Sequence, residues 1–184
     1  MFRRFRNPAF QPNPLGPAAM QTLNQANRLV ANGQSGQAAI LFAQVADEME
    51  ATNHPRRAAN LHAQAAHAYA DSRNEQAALV QARAALNLFI QNQMARRTPV
   101  FYTNITSKFT NHGMPDAAAT LAKEFGARVG AMPAQATPTA GQRGRLPTNC
   151  SKCGAPIHAD EANWVDASTV ECDYCGSSIR TEIN

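Results

Sequence analysis

Between residues 17 and 130, apolar residues recur at three- and four-residue intervals, the spacing of helices that bury one face. The pattern predicts core positions at Leu23, Leu29, Ile40, Leu41, Phe42, Val45, Met49, Leu61, Tyr69, Leu79, Leu86, Phe89, Phe101, Ile105, Phe109, Leu121 and Phe125. Alanine fills many remaining positions, and no strand pattern competes. Pro17, Pro55, Pro99 and Pro115 suit first helical turns, where a missing N–H costs nothing. Ser35, Asn74 and Thr98 are candidate N-caps, and Gly33, Gly113 and Gly130 are candidate C-terminal stops. Six helices follow, over about 17–32, 35–52, 55–71, 74–96, 98–112 and 115–129. Short connections make successive helices antiparallel.

The helical block also repeats. Leu29, Tyr69 and Phe109 share a column spaced by 40 residues, followed by Ala38, Ala78 and Ala118, by Phe42, Ala82 and Ala122, and by Val45, Ala85 and Phe125. Alanine matches are cheap in such a chain, so the large-residue column carries the signal. A large residue ends the first helix of each unit, and a small residue opens the packing face of the second. The units Ala26-x-x-Leu29, Ala66-x-x-Tyr69 and Thr106-x-x-Phe109 with their following alanines resemble tetratricopeptide repeats. That family has a period of about 34 residues, so the excess is assigned to longer second helices such as 74–96. The resemblance implies helical hairpins with a concave protein-binding face; closure of the six helices into a compact bundle is the alternative to an open superhelix.

After the helices the pattern changes. Residues 131–147 are rich in Pro, Ala, Thr and Gly and read as a flexible linker; such a stretch spans on the order of 20–25 Å. Residues 148–184 hold all four cysteines, Cys150, Cys153, Cys172 and Cys175, as two C-x-x-C pairs. Paired thiolates at this spacing can close a tetrahedral four-sulfur site, for which zinc is the usual ion. Gly154 and Gly176 follow the pairs, and Asn163–Asp166 with Thr169–Glu171 reads as a short hairpin. Ala155–Ile157 and Ser178–Ile179 are candidate short strands. The runs Cys150-Ser151-Lys152-Cys153-Gly154-Ala155-Pro156 and Val170-Glu171-Cys172-Asp173-Tyr174-Cys175-Gly176 resemble the knuckles of bacterial zinc ribbons. The resemblance implies one structural zinc per chain with the four cysteines as ligands. An iron site of rubredoxin type and a pair of disulfides are the alternatives. His158 is expected at the surface, because four thiolates already saturate a tetrahedral ion.

Residues 1–16 form a Pro-rich arm in which Arg3, Arg4 and Arg6 alternate with Phe2, Phe5 and Phe10. It reads as a docking motif or an unordered terminus. No apolar stretch follows the arginines as a secretory signal requires, and none is long enough to span a membrane. A cytoplasmic location is the expectation.

The net charge of +4 is unevenly spread. Arm, helices and linker are each basic, whereas residues 148–184 carry Asp160, Glu161, Asp166, Glu171, Asp173 and Glu182 against Lys152 and Arg180. A thiolate-bound zinc makes that segment more acidic still, a poor surface for phosphates. His54, His62, His67 and His112 form no ligand pair on a helix, and no phosphate loop, dinucleotide fingerprint or nucleophile motif is present. The class expected is mainly α, with a small C-terminal β unit, and the leading function is a non-enzymatic protein–protein interaction scaffold or adaptor. Protein partners, with self-association open, are expected. A nucleic-acid-associated factor using the arm, Arg56, Arg57, Arg96, Arg97 and the linker arginines is the alternative, and a zinc- or thiol-responsive sensor the second. The Gln- and Asn-rich exposed positions fit a partner surface or plain solvation.

Overall fold

The structure is a computed structural model that describes residues 16–132, 143–152, 157, 162–172 and 177–181. Six helices, α1 (Pro17–Ala31), α2 (Ser35–Ala51), α3 (Pro55–Asp71), α4 (Glu75–Gln91), α5 (Arg97–Asn111) and α6 (Pro115–Gly130), precede three strands, β1 (Asn163–Asp166), β2 (Thr169–Glu171) and β3 (Ser178–Arg180). The protein is mainly α, as the apolar spacing predicts. Of the expected strands, Ala155 and Pro156 lie outside the described residues. The arm, apart from Gly16, and linker residues 133–142 also lie outside them.

The first five helices end in the same way. Gly33, Asn53, Arg73, Gln93 and Gly113 all have positive φ, and each stands twenty residues after the last. The N–H one residue beyond donates back to Leu29, Met49, Tyr69, Phe89 and Phe109 at 2.7–2.9 Å, while the positive-φ residue donates to the next carbonyl. This is the Schellman closure, which satisfies carbonyls a helix end would otherwise leave bare. The repeat is therefore one helix plus one turn. The large-residue column includes Met49 and Phe89 as well as Leu29, Tyr69 and Phe109, so the 40-residue spacing is two equal modules rather than a short helix and a long one.

Helix α4 shows the consequence. It stops at Gln91, not at 96, because Gln93 takes the left-handed conformation (φ 54) and starts a turn. Helix α5 then begins at Arg97, so Thr98 is inside it and not its N-cap; the buried Thr98 hydroxyl donates to the Met94 carbonyl at 2.9 Å. Gln34, not Ser35, occupies the cap position of α2. Asn74 caps α4 as expected, its Oδ1 accepting from the Ala77 N–H at 3.2 Å. His54 enters α3 just before Pro55. Gly130 is the last residue of α6, as expected, but without the positive φ of the earlier stops.

Consecutive helices pack against one another, α3 also touches α5, and α4 touches α6, so the hairpins stack. Helix α3 is central. Ala58, Leu61, Ala65 and Ala68 join a core with α1 and α2, and Ala59, Ala63, Ala66 and Ala70 join a second core with α4, α5 and α6. Two buried stripes on one helix require small side chains, which let neighbouring axes come close. Most expected core residues are buried, with Leu29, Leu41, Tyr69 and Leu79 partly so. Ile40 is the departure: it is 48% exposed, because the buried stripe of α2 runs through Ala38, Ala39, Phe42, Val45, Ala46 and Met49.

The sheet is antiparallel in the order β1-β2-β3. Trp164 pairs with Val170 and Val170 with Ile179, and these three form its buried face. The β1–β2 turn is held by Asp166, whose Oδ1 accepts from the Ser168 N–H and hydroxyl at 2.8 and 2.9 Å. Those bonds favour the ionised form and hold the exposed Asp166 carboxyl below its usual range. The Gly144 N–H donates to the Ala167 carbonyl at 3.1 Å, and the Arg143 guanidinium lies over the Trp164 ring, 5.5 Å from its centre. The last residues of the expected linker thus pack along the sheet.

Candidate functional site

Two of the four cysteines are described. Cys150 and Cys172 are both buried and belong to the apolar cluster of Trp164, Val170 and Ile179. Each lies next to a backbone hydrogen bond that brackets its C-x-x-C segment. The Ile157 N–H donates to the Thr148 carbonyl at 2.9 Å across the first C-x-x-C segment, and the Cys172 N–H donates to the Ser177 carbonyl at 2.8 Å across the second. The Lys152 N–H points at the Cys150 sulfur, 3.4 Å away. An N–H aimed at a cysteine sulfur stabilises the thiolate form. Cys153, Cys175 and His158 lie outside the described residues, and among the described residues no group of three or more His, Cys, Asp or Glu is placed to hold a metal.

The sheet meets the helices at the α4–α5 turn. The Arg96 Nη1 donates to the Trp164 carbonyl at 3.0 Å and also to the Val165 carbonyl. Successive carbonyls of a regular strand face opposite ways, so one guanidinium could not take both. The register shifts between Trp164 and Asp166, and this irregularity turns both carbonyls to one side. An open cleft of about 350 Å³ lies beside this contact, with Arg56, Met94, Arg96 and Arg97 on the helical wall and Val165 and Glu171 on the sheet wall. Arg56 comes from the first turn of α3, and the other two arginines bracket the start of α5. Three of the four helical arginines grouped from the sequence therefore line one cleft; Arg57 is half-buried beside Arg56.

Ionic contacts elsewhere tie helices together. Arg83 of α4 donates through Nε to Glu124 of α6 at 2.7 Å and through Nη2 to the other oxygen; this bonding holds the exposed Glu124 carboxyl below its usual range. Lys108 of α5 donates to both Asp71 oxygens, at 2.7 and 2.9 Å. The His67 ring packs edge-on against Phe101, 5.4 Å between centres. Burial, then the Lys108 charge and more weakly Arg97, pushes its pKa down to about 4, with Asp71 opposing. His67 is thus neutral at pH 7. His62, buried in α3, shares a 2.6 Å hydrogen bond through Nδ1 with Gln81 Oε1 of α4, and its Nε2 lies 3.7 Å from Glu50 of α2. No spacing rule would have found this bridge, because its three residues come from three helices.

Most of the Gln and Asn side chains expected at the surface are there, and Gln21, Asn24, Gln25 and Arg28 line a shallow groove on α1. No helix among the described residues is long and apolar enough to cross a membrane. No family model, curated protein or solved structure matches the chain.

Proposed function

We propose that the chain is a non-enzymatic protein–protein interaction scaffold, with stacked helical modules as its binding surface and a metal-stabilised C-terminal unit as a second contact. The observation that carries this reading is the repeat itself. Identical turns at Gly33, Asn53, Arg73, Gln93 and Gly113 set six helices of similar length side by side. Stacked modules of this kind build extended surfaces, which suit a polypeptide better than a small substrate. The polar faces of Gln21, Asn24, Gln25, Gln44 and Gln76 supply hydrogen-bonding groups without a fixed charge.

In the same reading the C-terminal unit is a zinc ribbon, with Cys150, Cys153, Cys172 and Cys175 as ligands. The burial of Cys150 and Cys172, and the Lys152 N–H directed at Cys150, fit thiolate ligands. Zinc would supply structure and no open coordination position. Proximity labelling in cells with the full chain tests the scaffold reading. A reproducible set of protein neighbours is the expected result, and none above background would refute it.

One observation favours a second reading, a nucleic-acid-associated factor: Arg56, Arg96 and Arg97 line one cleft. It predicts binding that falls steeply with salt, and no gel shift at low ionic strength would dispose of it.

A further inference from the structure

The cleft at the α4–α5 turn has chemistry of its own. Among the described residues its wall carries three guanidinium groups, Arg56, Arg96 and Arg97, and a single carboxylate, Glu171. Val165, 42% exposed, adds apolar surface, whereas Met94 is buried. The described lining therefore has a surplus of positive charge. Arg96 is fixed by its bonds to the Trp164 and Val165 carbonyls, and Arg97 lies against the Phe89 ring, 5.8 Å from its centre. Guanidinium groups held in this way lose little freedom when a carboxylate arrives, which favours binding.

We propose that this cleft binds an acidic peptide segment, two or three residues long at the point of contact, through its carboxylates. The inference rests on the scaffold reading and names the class of partner for it. Size and charge choose peptide over nucleic acid. A volume of about 350 Å³ suits a few side chains. A phosphate chain carries its charge onward, past a sheet unit whose sequence is acidic from Asp160 to Glu182. Three arginines would also neutralise too few phosphates for more than weak association. The residues between the acidic groups of the peptide are expected to be small or apolar, to rest on the exposed Val165.

The test uses the full chain, purified with its metal, and fluorescein-labelled peptides of alternating Glu and Ala, with Lys/Ala peptides and a single-stranded oligonucleotide of equal length as comparisons. Fluorescence anisotropy at low and physiological salt reads binding. The Glu/Ala peptide is expected to bind in preference to both. The exposed Arg56→Glu change should weaken it by about tenfold, because it reverses a rim charge without touching the core. Glu171→Gln removes the one carboxylate among the described lining residues and should tighten it about threefold. Equal binding of the Lys/Ala peptide, no binding at low salt, or affinity unchanged by Arg56→Glu with Glu171→Gln also silent would overturn the proposal. Preference for the oligonucleotide, lost in Arg56→Glu, would overturn it in favour of phosphate recognition. Proximity labelling with wild-type and Arg56→Glu chains separates the two levels. An unchanged set of protein neighbours beside a failed peptide assay sinks only the acidic-peptide assignment, whereas no neighbours for either chain sinks the scaffold reading itself.

Discussion

The repeated turn makes a quantitative prediction with opposite signs at neighbouring sites. Gln93 and Gly113 occupy equivalent positions, with φ of 54 and 76. A left-handed backbone costs an L residue about 1–2 kcal/mol, and glycine avoids that cost. Glycine in turn gives the unfolded chain extra freedom worth about 0.4–1 kcal/mol. The difference leaves Gln93→Gly more stable by about 0.5–1 kcal/mol, and Gly113→Ala less stable by about the same. Side-chain effects are small at both sites. Gln93 is exposed, and a Cβ added at Gly113 meets no heavy atom within 4 Å. For a domain of this size 1 kcal/mol moves Tm by about 3–5 °C. Calorimetry should therefore show Gln93→Gly melting about 2–4 °C higher and Gly113→Ala about 2–4 °C lower. Gly130→Ala is the control, since Gly130 lies within α6 without a positive φ and has nothing within 4 Å; it should be neutral or slightly stabilising. A lower Tm for Gln93→Gly, or a higher one for Gly113→Ala, would refute the equivalence of the turns.

Arg96→Ala should loosen the sheet from the helices; Trp164, the single tryptophan and 3% exposed, reports this by a red-shifted, more readily quenched emission with helical circular dichroism unchanged. The His67 pKa of about 4 lies below its ordinary value of 6.5, so the unfolded state takes up the proton first. Stability is then complete above pH 6.5 and falls between 6.5 and 4. Because His67 as a residue is only partly buried, the loss is set at about 1–2 kcal/mol; urea denaturation at pH 7 and pH 4.5 should show it in the wild type and not in His67→Gln. Chelation, or Cys172→Ser, should abolish the dispersed amide signals of Trp164 and Val170 while the helices remain folded, since so small a unit cannot fold on its apolar contacts alone.

Where punctuation was explicit, the helices were legible in the sequence. Pro55 and Pro115 mark two starts, and Gly33 and Gly113 mark two stops. The end of α4 was not legible, because glutamine rarely marks a left-handed turn and nothing local distinguishes Gln93 from the helical glutamines before it. The same mask hid the module length, since Arg73 and Gln93 carry the role that glycine announces elsewhere. The hairpin of β1 and β2 was readable from its residues, as were the cysteine pairs. The docking of the sheet was not, because Arg96 recognises backbone carbonyls exposed by a strand irregularity, and a carbonyl has no sequence signature. Arg56, Arg96 and Arg97 stood out as basic residues, but their meeting in one cleft depends on how α3 packs against the α4–α5 turn.

Native mass spectrometry of the full-length protein, isolated gently from its own cells without added metal, tests the central claim most directly. The scaffold account predicts one zinc per chain together with a stoichiometric polypeptide partner and no nucleic acid. A chain that retains nucleic acid, or that carries neither zinc nor any polypeptide partner, would contradict it.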